Sequence, residues 1–225
     1  MNSPTAQRAG QRKPDARPTK RRLDYELIGA MVPAGARVLD LGCGDGQLLA
    51  ELVEHKGCQG RGIEINEQAV VACIRRGVAV YHGDMLEGMG FYSDHAFDVV
   101  ILSQTLQQTS DPIGVIREML RVGETAIISF PNFGYWHVRL QLLLTGQMPR
   151  NPLLPYAWFD TPNVHLCTVT DFRRLCEEQA LERVREVFLV PPSRQIGPVL
   201  ANWLAGLAIF QVRRVSATTT GGGGR

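Results

Sequence analysis

The chain reads as an α/β protein, one domain built on a seven-stranded, mostly parallel sheet with helices on both faces. Three observations predict this. Apolar, β-rich runs alternate with helical patterns along most of the length, the order that a parallel sheet with crossover helices requires. The 225 residues, 44% of them apolar, suffice for one full core and are too few for two ordinary domains. A glycine-rich turn, Gly42-Cys43-Gly44-Asp45-Gly46, stands between the first strand and the helix that follows it.

The strands are expected at Arg37–Leu41, Gln59–Ile63, Ala79–His82, Asp98–Leu102, Thr125–Phe130, Arg183–Val190 and Ala208–Arg213. Helical patterns at Asp45–Glu54, Glu67–Arg75, Met85–Met89 and Pro112–Arg121 separate the first five. After a helix at Asp171–Gln179 the last two strands follow with no long helix between them, which allows an antiparallel pair at one sheet edge. Residues 131–170 do not fit a plain connection between helix and strand. They hold Pro131, Pro149, Pro152, Pro155 and Pro162, four Trp or Tyr side chains, and one helical run at Trp136–Leu144. An insertion of this length, following the fifth strand at the carboxyl edge where ligands bind, is expected to be functional or a lid.

The domain is expected to span residues 21–214. Residues 1–22 carry seven basic side chains against Asp15, a net +6, so the rest of the chain holds −4 within the overall +2. Residues 1–20 have no aromatic side chain for base stacking, and Pro4, Pro14 and Pro18 oppose helix, so they read as a solvated, disordered tail. The glycine-rich 215–225 reads the same way. The longest uncharged stretch, Gln195 to Val212, is interrupted by Gly197, Pro198, Asn202 and Gly206, so no membrane segment is expected. Five cysteines without a Cys-x-x-Cys pair, and an N-terminus without an apolar leader core, suggest a reducing, cytoplasmic setting.

Glycine is needed in the 42–46 turn because a Cβ would block close approach of a ligand to the backbone. Glycine spacing alone is shared with dinucleotide sites, and the charges decide between them. Asp40 and Asp45 beside the turn would repel a pyrophosphate, but they would attract a ligand carrying an ammonium and a sulfonium, as S-adenosylmethionine does. Glu64 closes the next strand, twenty positions after Gly44, where its carboxylate can accept from two ribose hydroxyls. Asp84 follows the third strand and could accept from an adenine amino group, with Met85 packed on the ring. Each carboxylate alone could equally be a helix N-cap or a solvated loop residue; the weight comes from their sitting after three successive strands.

The runs VLDLGCGDG, GIEIN, GDM and FDVVILSQTLQ resemble the successive motifs of class I S-adenosylmethionine-dependent methyltransferases, whose fold is Rossmann-like. The resemblance implies Asp40, Gly42 and Gly44 along the methionine part of the cofactor, Glu64 at the ribose, Asp84 with Met85 at the adenine, and Ser103 and Gln104 flanking it. The Asn-Pro-Pro-Tyr signature of amino-group modifiers is missing after the fourth strand, where Ser103-Gln104-Thr105-Leu106 stands, so a nucleic-acid base is not an expected substrate.

A longer set of signatures, SFPNFGYW and YAWFDTPNVHLCT among them, is similar to the MetW family of methionine biosynthesis proteins, over about Arg21 to Arg213. That resemblance implies partnership with the homoserine O-acyltransferase MetX, with the chain as activator or regulator. The alternative is methyl transfer to a small-molecule acceptor. The sequence has no Gly-x-Ser-x-Gly nucleophile elbow, so it is not itself an acyltransferase of the α/β-hydrolase kind. No metal site is expected. Candidate acid–base residues, Tyr135, His137, Asp160 and His165, all lie in the insertion and none stands out. His165 between Val164 and Leu166 reads as a buried core histidine, and Phe133, Trp136, Trp158 and Phe159 as lid packing.

Overall fold

The computed structural model describes residues 23–191 and 194–215, so the tail read at 1–20 and all but Val215 of the tail read at 215–225 lie outside the described residues. The chain runs α1 (Leu23–Met31), β1 (Arg37–Leu41), α2 (Gln47–Lys56), β2 (Gln59–Glu64), α3 (Glu67–Arg75), β3 (Ala79–His82), α4 (Met85–Gly90), β4 (Phe97–Ser103), a 3-10 turn (Leu106–Gln108) and α5 (Pro112–Val122). β5 (Gly123–Pro131), α6 (Trp136–Thr145), α7 (Val169–Glu178), β6 (Leu181–Val190), β7 (Arg194–Ile196), α8 (Ala201–Leu204) and β8 (Leu207–Arg214) complete it.

The sheet order is β3-β2-β1-β4-β5-β8-β6-β7. The pairs from β3 through β5 are parallel and those involving β6, β7 and β8 antiparallel. The sheet therefore has eight described strands rather than seven. The additional one, three residues long, folds back on Phe188–Val190 as an edge hairpin too short to leave an alternation signal. The antiparallel pair is also not simply an edge: β8 sits inside the sheet, between β5 and β6.

Burial explains why these segments are strands. Along β4, Val99 and Ile101 face one core while Val100 and Leu102 face the other, and all four are at most 1% exposed. Such double-sided burial is the rule for parallel sheets covered by helices. One face packs Ile28 and Met31 of α1, Leu48, Leu49 and Leu52 of α2, and Cys73 of α3. The other takes α4, α5, α7 and α8, with Phe130, Phe172, Phe188 and Phe210 forming its aromatic centre; the Phe172–Phe210 centroids lie 4.7 Å apart. At the amino end, Arg37 clamps β1 to β4 through its backbone N–H and guanidinium on the two Asp98 oxygens (2.7, 3.1 and 2.6 Å). Asp98 is thereby held below the usual carboxylate range.

Helix α1 was not anticipated. It seats Ile28 and Met31 on the β1 side of the sheet and places its buried Asp24 near the carboxyl edge. No described helix is long and apolar enough to cross a membrane, and Gln195–Val212 resolves into the end of β7, α8 and most of β8.

Candidate functional site

β1 lies between β2 and β4, so the strand order reverses there and the carboxyl ends of these strands border a crevice. The turn after β1 forms its floor. Gly42, Gly44 and Gly46 all have left-handed backbones (φ 66°, 57° and 76°), a region that residues with a Cβ rarely adopt. A Cβ on Gly42 would stand 3.1 Å from Thr105, whereas one on Gly44 would meet nothing within 4 Å. Gly44 is therefore where the crevice exposes bare backbone, a cradle that a side chain would fill. Helix α2 starts at Gln47 rather than Asp45, because the left-handed Gly46 interrupts the helical backbone.

Glu64 is 8% exposed, and its carboxylate ties two loops together: Oε2 accepts the Gly44 N–H (2.8 Å) and Oε1 the Asn66 N–H (2.8 Å). The Gly42 and Cys43 N–H groups both go to the Ile63 carbonyl, the Gly46 N–H to the Cys43 carbonyl, and the Gln47 N–H to Asp45 Oδ1. Those are the amides a dinucleotide pyrophosphate would need. They are already taken, two of them by carboxylates, and buried Asp40 adds further negative charge. The donor set suits a cation and disfavours an anion. Asp45 contributes less to this than expected, because it is exposed and paired with Arg76 (2.6 Å).

Behind the turn, Cys43 and Cys73 place their sulfurs 3.7 Å apart, and the Cys73 thiol donates to the Gly44 carbonyl (3.1 Å). Burial, then the charge of Asp40, drives the Cys43 thiol far above its ordinary pKa, so it fills space as a neutral group.

At the end of β4, Ser103 and Gln104 lean on Ser129: the two serine hydroxyls are 3.3 Å apart, and the Gln104 N–H donates to Ser129 Oγ (3.0 Å). Gln104 is held at φ 51°, and its side-chain amide donates to Asp24 Oδ2 (2.8 Å), joining α1 to the crevice. Asp24 escaped the sequence reading because its partner lies eighty positions away.

Asp84 is exposed and N-caps α4, accepting from the Leu86 and Glu87 N–H groups (2.8 and 3.4 Å). The N-cap role weighed for it is thus present, and it stands beside the crevice because the Gly83 N–H bonds to the Glu64 carbonyl (3.0 Å). Met85 packs half-buried on the α5-side core. Asp40, Gly42, Gly44, Glu64, Ser103 and Gln104 thus gather at neighbouring strand ends, with Asp84 and Met85 one strand further out.

The insertion residues are arranged differently. Tyr135 and His137 stack (centroids 6.2 Å apart), and Asp160 is exposed in a turn. His165 is exposed rather than buried, since Val164, His165 and Leu166 pair with no strand and run across the surface. Trp158 and Phe159 are exposed as well and pack edge to face on each other (5.6 Å), which corrects the expectation of lid packing. A cavity of about 380 Å³ lies under this segment, lined by Leu106, Gln107, Phe130, His165, Cys167 and Phe172 among others, and no residue of the glycine turn borders it. Asn132, which the sequence reading missed, roots the insertion. It is 2% exposed; its Oδ1 accepts from the Gly134 and Val169 N–H groups, and its amide NH2 lies against the carbonyls of Ala201, Asn202 and Ala205. Among the described residues no cluster could hold a metal ion.

Fold and crevice define a protein of the class I methyltransferase-like type. An S-adenosylmethionine-dependent methyltransferase from Thermotoga maritima superposes with a TM-score of 0.63 at 15% identity, covering 85% of this chain and 87% of that one. More particularly, the model of methionine biosynthesis protein MetW matches residues 22–212, and the chain belongs to that family. The bifunctional methionine biosynthesis protein MetXA/MetW of Rhodopirellula baltica is 38% identical over 175 residues, 74% of this chain and 28% of that protein. The ubiquinone biosynthesis O-methyltransferase of Xanthomonas campestris is 33% identical over 119 residues, 49% of each chain. The chain thus spans less than half the length of these curated relatives.

Proposed function

We propose that the chain binds S-adenosylmethionine in the glycine crevice and acts as a partner of the homoserine O-acyltransferase MetX, raising or regulating its activity. The observation that carries the partnership is the Rhodopirellula relative, in which MetXA and MetW parts share one polypeptide. Fusion keeps two modules at high effective concentration, an arrangement suited to proteins that work in contact.

In this reading Asp40 and Gly44 hold the cationic methionine end, Glu64 the ribose hydroxyls, Asp84 and Met85 the adenine, and Ser103 and Gln104 the edge beside β4. The cofactor supplies a sulfonium methyl group; the chain's own residues bind and orient it. Used as a signal, the ligand shifts the insertion between two states that it binds with different affinity, and the partner reads that shift. Five free thiols, four of them buried, agree with a reducing, cytoplasmic setting.

The test is reconstitution. Acyl transfer by homoserine O-acyltransferase rises when this chain is added, and calorimetry gives saturable S-adenosylmethionine binding that Asp40→Ala removes. No association and no change in acyl transfer would overturn the partnership, whereas absence of cofactor binding would overturn only the ligand-sensing part. The similarity to an O-methyltransferase favours a second reading, methyl transfer to a small-molecule acceptor. Labelled methyl appearing in a metabolite, and lost in Asp40→Ala, would select it.

A further inference from the structure

Ten of the twenty-one exposed large apolar side chains among the described residues lie between Leu140 and Leu166, so the molecule concentrates its outward hydrophobicity on one segment. Helix α6 is turned inside out relative to the other helices: Val138 is its buried residue and joins neither core, while Leu140, Leu143 and Leu144 form a stripe at i, i+3 and i+4 facing solvent. Leu143 is 80% exposed, Leu144 73%, Trp158 73% and Phe159 76%. Leaving four such side chains in water forgoes the stabilisation their burial would bring, and monomeric proteins seldom keep large apolar patches without a use.

We propose that the outer stripe of α6 and the Trp158–Phe159 pair form the surface that docks homoserine O-acyltransferase; this rests on the partnership proposed above and assigns it a place. The chemistry selects this class of occupant. Between Leu140 and Leu166 the only acidic or basic side chains are Arg150, Asp160 and His165, so the segment has the charge-poor, aromatic and Met-bearing composition of a protein–protein interface core. A membrane surface would call for a run of Lys and Arg beside the apolar stripe, and only Arg150 is present. A second copy of the chain would serve the composition equally well. The fused relative decides for the acyltransferase, because there a MetXA part is attached permanently to the MetW part.

The insertion that carries this face is tied to the crevice further along its length. The Val164 and His165 N–H groups both bond to the Gln107 carbonyl (2.9 and 3.0 Å), and the Gln107 side-chain amide bonds to the Gln104 carbonyl (2.7 Å). The 164–165 stretch of the insertion is therefore two hydrogen bonds from the end of β4, where the crevice begins.

The experiment measures binding of the full chain to homoserine O-acyltransferase from the same organism, together with acyl-transfer rate. Two double variants, Leu143→Glu with Leu144→Glu and Trp158→Ser with Phe159→Ser, are compared with Ile74→Glu, an exposed apolar position on α3. Each insertion double variant binds about 30-fold more weakly or worse and loses its effect on acyl transfer, as truncating an interface hot spot does. Its melting temperature and circular dichroism stay at wild-type values, and Ile74→Glu behaves as wild type. If wild type binds no acyltransferase, the partnership fails and this surface with it. If wild type binds and both double variants bind as tightly, the surface alone is wrong. It is equally wrong if light scattering shows the variants splitting a wild-type dimer while acyltransferase binding is untouched.

Discussion

The glycine crevice and the insertion lie at the same edge of one sheet and are built on opposite principles. In the crevice, backbone polar groups are tied up within the protein: Glu64 holds two loops, and every turn amide from Gly42 to Gln47 for which a bond has been described has its acceptor inside the protein. In the insertion, apolar groups are exposed, and the Trp158 and Phe159 rings pack edge to face on each other. The difference teaches that the signature of the fold and the outward hydrophobicity of the molecule are recorded in different places. A rigid polar floor suits a small cationic ligand, and an outward apolar face suits a protein.

The comparison breaks most readily at the root of the insertion. Asn132→Ala leaves the buried Gly134 and Val169 N–H groups without their acceptor and frees three carbonyls, so a loss of roughly 3–4 kcal/mol is expected in chemical denaturation. If that variant were as stable as wild type, the insertion would be loose from its base outward. In the crevice, Glu64→Ala strips acceptors from Gly44 and Asn66 and lowers stability by roughly 2–3 kcal/mol, with S-adenosylmethionine binding lost in the same sample. Gly62→Ala places a Cβ 2.4 Å from Cys43 Sγ, behind the turn; overpacking of about 2 kcal/mol follows, readable as a lower midpoint with unchanged m-value.

A smaller effect concerns pH. Burial raises the Cys176 thiol to about 11 and the Cys167 thiol to about 12, both above their unfolded values near 9. The unfolded chain therefore loses these protons first. The thiols' contribution is complete below about pH 9 and is lost as pH rises toward 11–12, and Cys176→Ala flattens the decline of melting temperature over that window. Smallest of all, Trp158→Ala and Phe159→Ala each change stability by less than about 0.5 kcal/mol, because neither side chain is part of a core. A large loss at either would erase the contrast between the two regions.

Most of the sheet was legible in the sequence. β1, β3 and α3 coincide with their expected bounds, because each apolar run is fenced by glycine, a cap or a charge cluster. Helix α1 was missed, since it adjoins the basic stretch and its apolar positions follow no sharp periodicity. β7 was missed because three residues carry no alternation. In the crevice the positions of Asp40, Glu64 and Asp84 were legible from strand ends, but their hydrogen bonds were not. Glu64 spends one lone pair of each oxygen on backbone, and Asp84 caps its own helix. Asp24 and Asn132 act through partners far along the chain, which no local pattern reports. His165 misled because its apolar neighbours suggested a core where the chain crosses the surface.

One small joint links the two regions. A single carbonyl oxygen, that of Gln107, receives both the Val164 and His165 amides, and Gln107 belongs to the short turn that closes β4. In mechanical language this is a shared bearing, on which the chain at 164–165 and the end of β4 both rest. One end of that bearing lies beside the crevice and the other reaches the exposed surface.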